Sequence, residues 1–148
     1  MLKSLSLIKK AYIAGFLDGD GSIYARAKPN DSYRFGYQIS LSITLFQSKK
    51  SKDSFEEVCS LIGYGKMRER NDGILEYSIQ KLDDIKDFIE IVKPFLILKR
   101  KQAELTLKII ELKKKIEKEE DFESLLSLVN AFGELNYSKK RIKRRLTP

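Results

Sequence analysis

The sequence of 148 residues contains no histidine, no tryptophan and a single cysteine, Cys59. Without histidine the chain lacks the commonest nitrogen ligand for metals and the usual general base near neutral pH. These absences exclude zinc fingers, Ser-His-Asp triads and Cys-His nucleophile pairs. Any bound metal must be held by oxygen atoms, which favours Mg²⁺, Ca²⁺ or Mn²⁺.

Long apolar runs are also absent. No run approaches the roughly 20 residues that span a bilayer, and the first residues lack the cleavage site of a signal peptide. We therefore expect no membrane partner and an intracellular location, in the cytoplasm, the nucleoid or an organelle matrix. Only 3 prolines and 8 glycines interrupt a composition that is 42% apolar, which predicts a domain with a sizeable core.

Positive charge is in excess. The 29 lysines and arginines outnumber the 21 acidic residues and give a net charge of +8, which suggests a polyanionic partner. Six of the twelve residues in 137–148 are basic and none is acidic. We interpret 1–136 as one domain and 137–148 as a tail that contacts nucleic acid, with a solubilising tail as the alternative.

Hydrophobic periodicity predicts an α+β fold in the order αββαββα, with further helices appended at the C-terminus. Two β-hairpins are expected, one around the turn at residues 29–32 and one around Asn71-Asp72-Gly73. Along the second strand of the first hairpin, apolar and polar residues alternate, so one face is expected to be solvated. The predicted elements are helices at 7–18, 53–62, 85–92, 99–118 and 122–132, and strands at 22–28, 35–45, 64–70 and 74–80.

The first helix carries three small residues spaced four apart, Ala11, Gly15 and Gly19. This spacing places them on one face, where the backbone of a second helix can approach closely. The alternative is that the face packs against the protein's own sheet.

Two carboxylates, Asp18 and Asp20, lie where this helix ends. An EF-hand loop is excluded because Ile23 stands where that loop requires glycine. A carboxylate at the negative end of a helix dipole favours a cation beside it, so Asp20 is a candidate metal ligand. The alternative is that Asp18 or Asp20 only caps a turn.

Residues 12–22, YIAGFLDGDGS, resemble the LAGLIDADG motif of homing endonucleases, specifically the single-motif, homodimeric type. The resemblance extends over nearly the whole chain and agrees with the predicted element order. Beyond the motif, it includes Lys28-Pro29-Asn30, Ser32-Tyr33, Arg68-Glu69-Arg70, Pro94-Phe95-Leu96, Lys101-Gln102-Ala103 and residues 107–111.

The resemblance implies an intron-encoded endonuclease that cuts both strands of a long, near-palindromic DNA site and leaves 3′ overhangs. It implies Mg²⁺ as cofactor, with Mn²⁺ able to substitute and Ca²⁺ binding without supporting cleavage, and no small-molecule substrate. Two copies would meet through Ala11, Gly15 and Gly19, which brings both Asp20 side chains to one central site. In that family the main-chain carbonyl at the Gly19 position also contributes to the metal site.

Further catalytic residues follow from the same resemblance. Gln47 matches a glutamine that organises water, and Lys99 matches a basic residue near the scissile phosphate. The family's arginine after Gln47 is replaced by Ser51, and Lys50 or Lys52 is the expected substitute.

The resemblance also implies that the polar face of a curved antiparallel sheet enters the major groove of DNA. Arg68 and Arg70 are the expected guanine contacts, with phosphate binding as the alternative. The expected DNA-contacting residues are Tyr24, Arg26, Lys28, Asn30, Ser32, Tyr33, Gln38, Ser40, Thr44, Lys66, Arg68 and Arg70 in the sheet, and Ser138, Lys139, Lys140 and Arg141 in the tail.

Two other functions remain open at this point. One is a catalytically silent DNA- or RNA-binding protein on the same scaffold, a maturase or transcriptional regulator, which the unusual Ser51 leaves possible. The other is a ribosomal or chromosomal protein that binds by charge alone.

Overall fold

The computed structural model of the protein describes residues 2–136, Arg144 and Leu146. It confirms the α+β class and the predicted order of elements. The elements are α1 (Leu7–Asp20), β1 (Gly21–Pro29), β2 (Tyr37–Ser48), α2 (Lys52–Ile62), β3 (Lys66–Glu69), β4 (Ile74–Ile79), α3 (Leu82–Val92), α4 (Arg100–Lys113) and α5 (Glu119–Leu135). Short 3₁₀ segments occupy Leu2–Ser4, Lys49–Ser51 and Lys93–Phe95.

The four strands form one antiparallel sheet in the order β1-β2-β4-β3. β1 and β2 pair from Gly21 opposite Leu45 to Pro29 opposite Tyr37. The second hairpin closes at the predicted turn, where Gly73 has a φ of +82° and Arg70 N–H donates to the Ile74 carbonyl at 2.8 Å. β2 therefore lies inside the sheet, with β1 on one side and β4 on the other.

One face of the sheet packs against the helices and forms the core. Alternate residues of β1, β2 and β4 are buried there, as the predicted alternation requires. Cys59 of α2 is 4% exposed, which confirms its interpretation as a core residue. The apolar strand residues in this layer are Ile23, Ala25, Ala27, Ile39, Leu41, Ile43, Leu45, Leu75, Tyr77 and Ile79.

The opposite face is less solvated at its centre than the alternation predicted. Ser42 and Thr44 lie on the polar side of β2, yet each is only 5% exposed. The Thr44 hydroxyl lies 3.0 Å from that of Ser78 on β4 and 3.4 Å from that of Ser42. Because β2 has a strand on both sides at Thr44, this short side chain is shielded by its neighbours on β1 and β4.

Several element boundaries also differ from prediction, and one of them positions the site. α1 continues to Asp20, and β1 begins at the next residue without a loop. A Cβ atom at Gly21 would lie 2.8 Å from the Leu17 carbonyl oxygen, so this junction requires glycine. α4 ends at Lys113, five residues before the predicted end.

Within the described part of the chain, no helix is long and apolar enough to cross a membrane.

Candidate functional site

Asp20 is the last residue of α1 and is exposed. Its carboxylate has no hydrogen-bond or ion-pair partner among the described residues. Gly19 beside it is exposed as well, with nothing within 4 Å of the position a Cβ atom would take. Across the described residues, no three acidic, cysteine or histidine side chains are grouped to hold a metal ion. The described residues of one chain therefore supply too few acidic side chains to complete a divalent-ion site at Asp20.

Asp18 has a different environment, which separates the two aspartates that the sequence left equivalent. Its carboxylate accepts hydrogen bonds from the main-chain N–H groups of Ile97 at 2.8 Å, Leu98 at 3.1 Å and Lys99 at 3.0 Å. Asp18 thus caps the segment that leads into α4, whereas Asp20 is free to bind a ligand.

Lys99 is brought to the same end of α1 from a distant part of the sequence. Its ammonium donates to the main-chain carbonyl of Asp18 at 2.7 Å. That carbonyl belongs to the last turn of α1, where the helix dipole is negative and favours a cation. The structure therefore places the Lys99 ammonium at the C-terminal end of α1, on the carbonyl of a residue two positions before Asp20.

Gln47 lies near the end of β2, two residues beyond the partner of Gly21, and so at the same end of the sheet as Asp20. In this structure its side-chain oxygen accepts the N–H of Ser48 at 2.8 Å.

The two lysines proposed to replace the missing arginine differ in their contacts. Lys52 lies 3.9 Å from Glu56 in an ion pair. The Lys50 ammonium has no acidic partner within residues 2–136, and its main-chain N–H donates to the Ser48 hydroxyl at 3.2 Å. Lys50 therefore has the more available charge.

The polar face of the sheet brings the candidate DNA contacts of both hairpins together. Register pairs Arg26 with Ser40 and Lys28 with Gln38, so these side chains share one face. Thr44 is on that face but buried, which corrects its expected exposure. The exposed candidates are Arg26, Lys28, Ser32, Tyr33, Lys66, Arg68 and Arg70, and the partly buried ones are Tyr24, Asn30, Gln38 and Ser40.

Glu76, which no sequence motif singled out, lies between the two arginines expected to read guanine. Arg68 Nη2 is 2.6 Å from Glu76 Oε2, and Arg70 Nη1 is 3.7 Å from Glu76 Oε1. The Glu76 side chain is only 18% exposed. The hairpin register places Glu76 directly opposite Arg68, so counting strand residues outward from the Asn-Asp-Gly turn could have found this pair.

The small-residue face of α1 is exposed rather than packed on the sheet. Ala11, Gly15 and Gly19 are exposed, and nothing described lies within 4 Å of a Cβ atom built at Gly15. The buried face of the helix is instead formed by Ile13, Ala14 and Leu17. Large apolar side chains stand exposed on or near this surface, namely Leu7 at 69%, Ile8 at 83%, Tyr12 at 57%, Ile97 at 80% and Leu98 at 72%.

The predicted tail contacts Ser138, Lys139, Lys140 and Arg141 lie outside the described residues. Further along, Arg144 is held on α5 through its main chain. Its N–H donates to Asn130 Oδ1 at 3.0 Å, and its carbonyl accepts from Asn130 Nδ2 at 2.8 Å.

A basic sheet face together with an exposed, unpaired carboxylate defines a candidate metal-dependent, nucleic-acid-binding protein. Comparison with known proteins agrees with this class and narrows it. Residues 13–110 match the family model described as LAGLIDADG endonuclease, which covers more than half of the chain. The chain belongs to the LAGLIDADG endonuclease family, as the resemblance of residues 12–22 predicted.

Two relatives are similar over most of their length. The DNA endonuclease I-CreI of Chlamydomonas reinhardtii is 39% identical over 131 residues, which cover 88% of this chain and 80% of the relative. The DNA endonuclease I-CvuI of Chlorella vulgaris is 35% identical over 137 residues, which cover 90% of this chain and 83% of the relative.

Solved structures support the fold. One is a crystal structure of I-CvuI in complex with the I-CreI target, in the presence of Mg and with the DNA not cleaved. It aligns with a TM-score of 0.85 at 32% identity, covering 91% of this chain and 86% of that one. The archaeal intron-encoded homing endonuclease I-Vdi141I, complexed with DNA, aligns with a TM-score of 0.76 at 20% identity, covering 93% and 89%. At that identity the second comparison supports the fold alone.

Proposed function

We propose that this protein is an intron-encoded homing endonuclease that cuts both strands of a long, near-palindromic DNA site and leaves 3′ overhangs. The observation that carries the proposal is the exposed, unpaired Asp20 carboxylate at the junction of α1 and β1. Family membership and the DNA endonuclease activity named for both relatives support it. We propose the cell interior as its location, because its substrate is chromosomal or organellar DNA.

The proposed cofactor is Mg²⁺, held by the Asp20 carboxylate and the main-chain oxygen of Gly19. The available donors are oxygen atoms, which this ion prefers. When bound, such an ion polarises the scissile phosphate and offsets the negative charge of the transition state. Mn²⁺ is expected to substitute and Ca²⁺ to bind without supporting cleavage. Structures of I-CvuI obtained with Mg and with Ca are consistent with divalent metal use.

The chain's own residues have separate tasks in this proposal. The Lys99 ammonium donates to the phosphate oxygens as negative charge develops. The Gln47 carboxamide orients a water molecule, once its side chain leaves the Ser48 N–H. Lys50 supplies the second positive charge that the family takes from an arginine, and Lys52 is the less favoured candidate because it is paired with Glu56.

A homodimer completes the proposed site. One chain offers Asp20 without further clustered ligands among its described residues, and the exposed face of α1 leaves room for a second helix. A two-fold axis along this face brings Asp20 from both copies to one place. Such a dimer matches a near-palindromic target, because each half-site meets an identical subunit.

Recognition of DNA is assigned to the polar sheet face. Two-stranded ribbons fit the major groove, and arginine side chains bind guanine edges bidentately. Arg68 and Arg70 are the proposed base contacts, while Arg26, Lys28 and Lys66 add positive charge on the same face. Residues Ser138 to Arg141 are proposed to hold the DNA backbone.

The test is incubation of the purified protein with a randomised, near-palindromic duplex library in Mg²⁺ or EDTA, followed by sequencing of the cut ends. Cuts at one enriched site, dependent on Mg²⁺ and lost in Asp20→Asn, are the expected result. Asp83→Asn is the matched control, because Asp83 is an exposed aspartate in the first turn of α3. If one site is enriched by binding but is not cut with any metal ion, the proposal is wrong. The protein would then be the catalytically silent binding protein that Ser51 leaves open.

A further inference from the structure

Asp18 forms hydrogen bonds with Lys99 through both its side chain and its main chain. Its side chain accepts the N–H groups of Ile97, Leu98 and Lys99, at 2.8, 3.1 and 3.0 Å. Its main-chain oxygen accepts the Lys99 ammonium at 2.7 Å. One residue therefore holds both the backbone and the end of the Lys99 side chain, although the two residues are 81 positions apart.

These contacts restrict a side chain that is otherwise highly mobile. A lysine has four rotatable side-chain bonds, and fixing its ammonium costs conformational entropy. Here the main-chain position is fixed by the Asp18 carboxylate, since Lys99 begins α4 without a side-chain cap of its own. The ammonium is fixed by a carbonyl in the last turn of α1, the same turn that carries Asp20.

Both carboxylate oxygens of Asp18 are already used by the chain. Oδ2 accepts from Ile97 and Leu98, and Oδ1 accepts from Lys99. This arrangement disfavours Asp18 as a metal ligand and separates its task from that of Asp20.

We propose that Asp18 is a positioning residue for DNA cleavage, which acts by holding the Lys99 ammonium at the end of α1 that carries Asp20. The inference rests on the proposed function, because it assigns Asp18 a part in that reaction. A misplacement of about 1 Å at a reacting group can slow a reaction about 100-fold. Loss of the Asp18 contacts is therefore expected to slow cleavage while leaving the DNA-binding face intact.

A double-mutant cycle tests this with Asp18→Asn, Lys99→Met and the double variant. Asparagine keeps the size of Asp18 but presents an NH₂ group to one set of N–H donors. Single-turnover cleavage in Mg²⁺ is expected to fall about 10- to 100-fold in Asp18→Asn. The Kd for target DNA, measured in Ca²⁺, is expected to stay within about twofold, and the double variant is expected to be no slower than Lys99→Met.

Asp121 offers a matched control at the start of α5. Its carboxylate also caps a helix, accepting the N–H groups of Glu117 at 3.0 Å and Lys118 at 3.1 Å. Asp121→Asn is expected to leave the cleavage rate unchanged. Additive effects of Asp18→Asn and Lys99→Met, or an equal loss of rate in Asp121→Asn, would overturn the proposal.

Amide hydrogen exchange tests the contact without relying on cleavage. The amides of residues 97–99 are expected to exchange faster in Asp18→Asn than in the wild-type protein. Equal exchange rates would contradict the proposed contact. If the wild-type protein cut no target, the proposed function would fall, and these exchange rates alone would decide whether Asp18 holds the Lys99 segment.

Discussion

Glu76 is the residue whose effect on DNA recognition is easiest to isolate. It is paired with Arg68 at 2.6 Å, so it orients that guanidinium group and lowers the positive charge of the sheet face. In Glu76→Gln, Arg68 is free to contact phosphates, whereas Arg70 keeps its ion pair with Asp72 at 2.8 Å. We expect binding to unrelated duplex DNA to strengthen about threefold to tenfold, with a salt slope steeper by about 0.9. The preference for the target should fall, because Arg68 loses its fixed geometry.

The measurement is fluorescence anisotropy of target and scrambled duplexes in Ca²⁺. Glu104→Gln is the control, because Glu104 is exposed on α4, away from the sheet face. This substitution removes the same charge as Glu76→Gln. An unchanged ratio of target to scrambled affinity in Glu76→Gln would show that the pairs on this face do not contribute to specificity.

Because of the buried thiol of Cys59, we expect the folded protein to lose stability at alkaline pH. Burial, and secondarily the nearby Glu56 carboxylate, raise the pKa of the thiol from 9.0 to about 12. In the unfolded chain the thiol ionises from about pH 9, while the folded chain keeps it neutral. The stability associated with this group is therefore present below pH 9 and lost progressively between pH 9 and about 12, by about 1 kcal/mol per pH unit.

Urea unfolding at pH 8 to 11 measures this effect in the wild-type protein and in Cys59→Ala. The variant starts less stable, because a buried side chain is shortened. Its free energy of unfolding should fall less steeply above pH 9, so the two curves should converge. Parallel curves would contradict the raised thiol pKa.

At the scale of elements, α1 supplies the proposed dimer contact, and Gly15 tests it. Within the single chain nothing described lies near a Cβ atom at Gly15. Arginine there should leave the fold intact and even favour the helix, since glycine is about 1 kcal/mol worse than alanine inside a helix. In the proposed dimer, Gly15→Arg places two bulky, like-charged groups at the helix crossing.

We therefore expect Gly15→Arg to fold with unchanged or higher thermal stability as a monomer and to lose cleavage. Analytical ultracentrifugation and thermal unfolding measure the two properties. Ser60→Arg is the control, because Ser60 is exposed on α2. This substitution adds the same charge away from the proposed helix crossing. A dimeric, active Gly15→Arg protein would place the interface on another surface.

The elements also show which features local sequence can predict. The alternation in β1 and the Asn-Asp-Gly turn depend on neighbouring residues, and both were predicted correctly. The burial of Thr44 depends on β4 pairing with β2, which no local pattern contains. The early end of α4 reflects the start of α5, where the Asp121 carboxylate accepts the N–H groups of Glu117 and Lys118 and a new helix begins.

At the scale of the whole molecule, the same distinction applies to the site. Asp20 and Gln47 could be predicted because they lie in or beside recognisable segments. The contact of Asp18 with Lys99 joins segments 81 positions apart, whose proximity follows only from the tertiary fold. Glu76 and Arg68 face each other within one hairpin, so the predicted turn already implied that pair. Family resemblance supplied the expected role of Lys99, whereas the structure shows the residue that contacts it, Asp18.

Net charge separates the proposed enzyme from a protein that binds nucleic acid by charge alone. Each chain carries +8, so a homodimer carries 8 + 8 = +16. Binding by charge releases counterions and weakens steeply with salt, by about 10³- to 10⁵-fold between 50 and 200 mM for six to ten phosphate contacts. Contacts to base edges add a contribution to the binding free energy that salt does not remove.

We therefore expect the affinity for unrelated DNA to collapse as KCl rises from 50 to 200 mM, while the affinity for the target falls less. Titrations in Ca²⁺ measure both without cleavage. At 200 mM the target should be preferred by at least about 10³-fold, the lower end for specific DNA-binding proteins. A preference close to one at every salt concentration would mean that the arginines of the sheet face contact only phosphates, and the protein would then belong with those that bind by charge alone.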